Sequence, residues 1–150
     1  MSSSRPAPAQ SVAAECQRRG AAAVVSGCID LLVARGANET REVDDALVLA
    51  LGGAAAPHVL GGGEGGKQGY WPRVWAARGL LYVWEDRAAP AIAAAAADDA
   101  WRVREMAARV IARHRVDDAL EAVTGLRGDQ VARVRVAADR ALARLTVSGS

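Results

Sequence analysis

Phenylalanine is absent from the 150 residues, and the six aromatic side chains are four Trp and two Tyr. A core built on large rings is thereby excluded, and the apolar bulk must come from aliphatic side chains. Lysine occurs once, as Lys67, against 18 arginines. Such a bias with abundant Ala and Gly reads first as coding bias, although Arg also favours bidentate phosphate or carboxylate contacts. The two cysteines, Cys16 and Cys28, have no ligand-type neighbours at metal spacing, which argues against a zinc site and against a disulfide framework. They are expected to be small, buried and reduced. No apolar run approaches the roughly 20 residues needed to span a bilayer. The first ten residues lack the charged-then-apolar layout of a signal peptide, so a cytoplasmic protein is expected. Asn38-Glu39-Thr40 matches the glycosylation acceptor pattern, but a chain that is not secreted does not meet that machinery. The net charge of +2 is too small to mark a nucleic-acid binder on its own.

What is present is alanine, 35 residues of it. Alanine is the best helix former and lets helices approach closely, so the chain reads as all-α. Its length suits one domain. Two stretches repeat at a separation of 31 positions: Asp98-Asp99-Ala100-Trp101-Arg102-Val103-Arg104 and Asp129-Gln130-Val131-Ala132-Arg133-Val134-Arg135. Each runs on into matching apolar and Arg positions, with Ile111 and Arg113 answered by Leu142 and Arg144. Self-similarity at this period marks a helical solenoid.

The apolar spacing predicts the elements. Residues 1–10 read as a disordered tail, 11–145 as a single helical domain, and 146–150 as a frayed end. A helical pair broken near Gly20 comes first, with Val24, Val25, Cys28, Leu31 and Leu32 on one face of its second helix. Asn38 or Thr40 could cap a third helix with Val43, Ala46, Leu47 and Ala50 inward, ended by Gly52-Gly53. Gly61 to Gly69 has a flexible composition. A helix over 70–84 places Val74, Ala77, Leu81 and Trp84 on its core stripe. Then come a short helix over 88–97 with Pro90 in its first turn, a longer one over 101–114, a short one over 117–126, and a last over 130–145.

Short helix, acidic turn, longer helix: the unit appears cleanly twice, and its residues resemble the HEAT-repeat superfamily, especially short bacterial repeats of the phycobilisome-lyase-like kind. The resemblance rests on Asp98 followed by Val103-Arg104, Asp129 followed by Val134-Arg135, and Pro90. It is good over 88–145, fair over 70–87 and weak before Gly61. It implies a short right-handed α-solenoid of HEAT-like helical hairpins, with a structural ladder in which Asp98 pairs with Arg104 and Asp129 with Arg135. Members of the superfamily mostly bind other molecules, and the fold alone names no function.

Few residues offer chemistry. Gly61, Gly66 and Lys67 meet half of a phosphate-loop pattern, but Gln68 stands where the Mg²⁺-holding hydroxyl belongs and no buried strand precedes the loop. His58 and His114 are the only histidines. His114 falls on a core stripe, and His58 has no ligand at metal spacing. The pairs Asp44-Asp45, Glu85-Asp86, Asp98-Asp99 and Asp117-Asp118 all fall at helix edges, where caps are expected. No catalytic residue, metal ligand, cofactor or small-molecule substrate is evident.

Two surface patterns stand out. Arg102, Arg109 and Arg113 recur as Arg133, Arg140 and Arg144. Steps of 7 and 4 hold each trio within about 40° around its helix, which predicts a basic patch on two neighbouring helices. Trp71, Trp75, Arg78 and Tyr82 form an aromatic row that reads either as a stacking surface or as a cover over one end of the stack. The leading expectation is a non-enzymatic module that binds a protein partner through its solenoid surface. The alternative is nucleic-acid binding through the Arg patch with nearby aromatics. HEAT-like alkylpurine DNA glycosylases make that alternative concrete: they hold DNA on a basic concave face, and Trp101 to Met106 is superficially similar to one of their helices. No residue here takes the place of their carboxylate. A chromophore-lyase role rests on the repeat family's label alone.

Overall fold

The computed structural model describes residues 6–33 and 44–147 and is all-α, with no strand among them. The chain divides into two compact units, Met1–Val83 and Trp84–Ser150.

The first unit holds α1 (Pro8–Arg19), α2 (Ala21–Val33), α3 (Asp45–Gly52), α4 (Ala56–Leu60) and α5 (Trp71–Gly79). Helix α1 starts inside the expected tail. Pro8 opens it, where a missing N–H costs nothing, and the Gln10 side chain accepts the Ala7 N–H at 3.0 Å. Gly20, at φ 90°, breaks α1 from α2. The predicted face of α2 is buried throughout: Val24, Val25, Cys28, Leu31 and Leu32. Helix α5 packs on α1, α2 and α3. Gly79 lets it come close, because a Cβ there would stand 2.8 Å from Leu51 Cδ2 and 3.3 Å from Cys28 Sγ.

Asn38, Thr40 and Val43 lie outside the described residues. The cap of α3 is Asp44, whose Oδ1 accepts the Leu47 N–H at 2.9 Å, and the buried face is Leu47, Val48 and Leu51. Ala46 is exposed. Asp44→Ala is expected to destabilise the unit by about 1 kcal/mol, as loss of an N-cap does, read as a lower urea midpoint at unchanged slope.

The helix expected over 70–84 is shorter. It ends at Gly79, after which the chain tightens into turns that bond Leu81 N–H to Arg78 O and Tyr82 N–H to Gly79 O, both at 3.0 Å. Glycine is a weak helix residue, and here its lack of a side chain is used for packing. The Gly-rich segment forms 3-10 turns over Gly63–Gln68, with Gly62, Glu64, Gly65 and Gly66 at positive φ.

The second unit holds α6 (Ala89–Ala95), α7 (Trp101–His114), α8 (Leu120–Gly125) and α9 (Ala132–Val147). Pro90 sits in the first turn of α6. Buried Val103, Ala107, Val110 and Ile111 of α7, and Val134, Ala138, Ala141 and Leu145 of α9, form the core stripes. The two long helices pack against each other. Cross-links from Arg133 to Glu105 and from Arg144 to the Ala112 carbonyl show that they run parallel, in a register close to the 31-residue repeat. No helix among the described residues is long and apolar enough to cross a membrane.

Candidate functional site

Helices α7 and α9 together carry eight arginines and two carboxylates, Glu105 and Asp139. Neither helix contains Gly or Pro. The acidic turn before each one sets its start. Asp98 Oδ1 accepts the Ala100 N–H and Asp129 Oδ1 accepts the Val131 N–H, both at 2.9 Å. These local side-chain bonds turn the backbone into the helix that follows. At the far end of α7, Arg115 closes the helix in the left-handed region at φ 49°.

Arg104 ties the two repeats together. Its Nε and Nη2 donate to Asp129 Oδ2 and Oδ1 at 2.7 and 3.2 Å, a bidentate pair, while Nη1 donates to the carbonyls of Asp98 and Asp99 at 2.9 and 3.0 Å. Arg135 repeats the inner half of this pattern, its Nη1 donating to the Asp129 carbonyl at 2.6 Å. Each ladder Arg therefore binds the main chain of its own acidic turn, and Arg104 gives its fork to the carboxylate one repeat further on. The hydrogen bonds from Arg104 hold the Asp129 carboxyl below its ordinary range, against the opposing effect of burial, with help from the Val131 N–H and the Arg135 charge.

The six arginines of the basic patch have different surroundings. The Arg102 and Arg133 guanidiniums lie over the Trp101 ring, 4.5 and 5.3 Å from its centroid. Arg133 Nε also donates to Glu105 Oε2 at 2.9 Å. Arg144 Nε donates to the Ala112 carbonyl at 2.7 Å, which positions the guanidinium without neutralising it, and the residue is exposed. Arg109, Arg113 and Arg140 are exposed, with no side-chain hydrogen bond or ion pair among the described residues. The parallel packing, with Arg144 bonded to the Ala112 carbonyl, brings the turns of α9 that carry Arg140 and Arg144 alongside the C-terminal half of α7, which carries Arg109 and Arg113. The open charge is thus four guanidiniums toward the C-terminal halves of the two helices.

The aromatic row does not form one surface. Trp75 is 4% exposed and covers Gly52, where an added Cβ would lie 2.5 Å from the indole ring. Trp71 is half-buried and stacks on Trp75 at 6.0 Å between centroids. Arg78 donates to the Leu51 carbonyl at 2.6 Å near the end of α3. Tyr82 lies beyond α5 and is exposed.

His114 is half-buried and stacks on Trp84 at 4.7 Å with the planes 12° apart. His58 is exposed, with its ring against Gly63. Cys28 is buried, and burial pushes its thiol up to about 12, so no thiolate forms at neutral pH. No group of three metal-ligating side chains occurs among the described residues. The sequence reading missed Glu15, a buried carboxylate that pairs with Arg18 and, at 2.6 Å, with Arg19, which also reaches Asp44 at 2.8 Å. The Glu-x-x-Arg-Arg spacing on α1 was its signal.

Comparison with protein-family models finds no match, and neither curated proteins nor solved structures yield a significant one.

Proposed function

We propose that the Trp84–Ser150 unit is a HEAT-like pair of repeats acting as a non-enzymatic interaction module, and that its partner is a protein segment rich in Asp and Glu. Three features support the repeat reading: the parallel packing of α7 on α9, the 31-residue register, and the Arg104 link between successive acidic turns. The observation that carries the binding reading is the set of open guanidiniums on Arg109, Arg113, Arg140 and Arg144. Neighbouring helices pack about 8–10 Å apart and one turn rises about 5.4 Å, so the four groups span a patch that one short acidic segment covers.

Nucleic acid is the weaker partner. The proposed stacking platform is broken by the burial of Trp75, and its aromatics belong to the other compact unit. Trp101 already carries two guanidiniums.

The test is fluorescence anisotropy with a labelled oligo-glutamate peptide and, in parallel, a mixed-sequence DNA duplex, from about 50 to 200 mM salt. We expect peptide binding that weakens with salt and falls at least about tenfold on Arg109→Glu or Arg140→Glu. Arg135→Glu, outside the patch, should retain most of it. Tighter, steeply salt-dependent binding of the duplex would transfer the assignment to nucleic acid. No binding of either probe at the lowest salt would remove it.

A further inference from the structure

Two of the open arginines meet at the C-terminus of α7. Arg144 Nε donates to the Ala112 carbonyl at 2.7 Å. The Val116 N–H, which would continue the helix onto that carbonyl, bonds the Ile111 carbonyl at 3.1 Å instead. A guanidinium is a suitable cap for such a carbonyl. The amide of Arg113 is joined to the same carbonyl carbon, so the bond brings the Arg144 guanidinium within roughly 6 Å of the Arg113 Cα. Both residues are exposed. Arg113 makes no side-chain hydrogen bond or ion pair among the described residues, and Arg144 makes only this one. The two Nη groups of Arg144 therefore remain for a ligand, on a guanidinium already positioned, which lowers the ordering cost of binding.

The charge at this corner indicates what it takes. The carboxylates of α7 and α9 do not neutralise it: Glu105 accepts from Arg133 at 2.9 Å, and Asp139 lies 3.8 Å from Arg127. The C-terminus of α7 supplies about −0.5 of a charge against two guanidiniums, so about +1.5 is left. A carboxylate brings a single charge and two oxygens, and a phosphate of the nucleic-acid backbone a single charge as well. A phosphate monoester brings about −1.5 to −2 and three acceptor oxygens on one centre. It closes the balance alone and can accept from both forks at once. A free phosphate would fill only this corner, whereas Arg109 and Arg140 keep their charge open a turn away.

Resting on the acidic-segment reading, we propose that the Arg113–Arg144 corner takes a phosphate monoester carried on a phosphorylated residue of that segment. Arg109 and Arg140 then hold flanking carboxylates.

The experiment is fluorescence anisotropy on the full chain with two labelled acidic peptides that differ at one position, phosphoserine in one and Glu in the other. The phosphopeptide should bind at least about tenfold tighter at about pH 7.5. Arg113→Lys and Arg144→Lys keep the charge but lose the fork, and each should reduce that ratio to within about threefold. Arg109→Lys should leave it unchanged. The ratio should also shrink as pH falls through about 6, where the phosphate takes up its second proton. Charge gained by the protein over that range acts on both peptides and cancels in the ratio. All three variants change exposed side chains, and circular dichroism melts check that they fold. Equal affinities for the two peptides overturn the phosphate assignment and leave the acidic-segment reading standing. Binding of neither peptide overturns both. A preference that survives both Arg113→Lys and Arg144→Lys places the phosphate elsewhere and overturns the assignment to this corner. Complete displacement of both peptides by about 10 mM inorganic phosphate at matched ionic strength would make the ligand a free anion and overturn the segment as its carrier.

Discussion

Trp75→Ala is expected to cost the Met1–Val83 unit about 4 kcal/mol, within the range for truncating a buried aromatic. The indole is 4% exposed and fills the space over Gly52. Gly52, at the end of α3, has no side chain to reach into that space. Trp71, which stacks on Trp75, loses its support as well. The measurement is urea denaturation followed by far-ultraviolet circular dichroism, since removing a Trp alters the fluorescence signal itself. A loss below about 1 kcal/mol, the range of exposed substitutions, would mean that the ring is a surface platform, and would revive the aromatic row as a binding element. Tyr82→Ala supplies the contrast: its ring is 45% exposed, and the expected loss is under about 0.5 kcal/mol.

The misplacement of Trp75 shows where reading by period stops. The spacing of Trp71, Trp75, Arg78 and Tyr82 defines one arc only if the helix continues to residue 84, and it ends at Gly79. The decisive partner of Trp75 is a glycine on another helix, and no local pattern announces that a glycine elsewhere has cleared room for a ring. Where burial follows from local spacing, the reading held: the α2 face, the bounds of α7 at Trp101 and His114, and Pro90 in the first turn of α6.

The arginines divide the same way. Their common face was legible from steps of 7 and 4, because helix geometry alone sets it. Which of them keep their charge open was not. Glu105 engages the Arg133 charge, whereas the neutral Ala112 carbonyl only positions Arg144 and leaves its charge open. Both contacts depend on the register between two helices rather than on position within one. The ladder shows the same dependence. The expected pairs lie within each unit, Asp98 with Arg104 and Asp129 with Arg135, but the fold gives Arg104 the Asp98 carbonyl and, for its fork, the Asp129 carboxylate of the next unit.

That second bond yields the last prediction. The Asp129 and Arg104 side chains are 7% and 18% exposed, so this pair is shielded from water in a way that Arg133–Glu105, with Arg133 69% exposed, is not. Breaking a buried pair leaves one charge without compensation and costs about 3 kcal/mol, whereas an exposed pair contributes about 0.5 kcal/mol. Asp129→Asn keeps the side-chain oxygen that accepts the Val131 N–H but removes the charge facing Arg104. It should therefore cost about 3 kcal/mol at pH 7, against about 0.5 for Glu105→Gln. The pH dependence gives an independent check. The folded carboxyl of Asp129 is held below its ordinary value of 3.8, so the folded state favours the ionised form. Its stabilisation is fully present above the unfolded pKa of about 3.9. It disappears as pH falls through the lower folded value, where both states carry the proton. The gap between wild type and Asp129→Asn, measured by urea unfolding, should be constant from neutral pH down to about 5 and narrow steadily below about 4. A gap that persists undiminished at the lowest pH at which the protein folds would mean that Asp129 acts through its turn geometry alone. The link between successive repeats would then rest on the apolar contact of α7 with α9 rather than on the Arg104 fork.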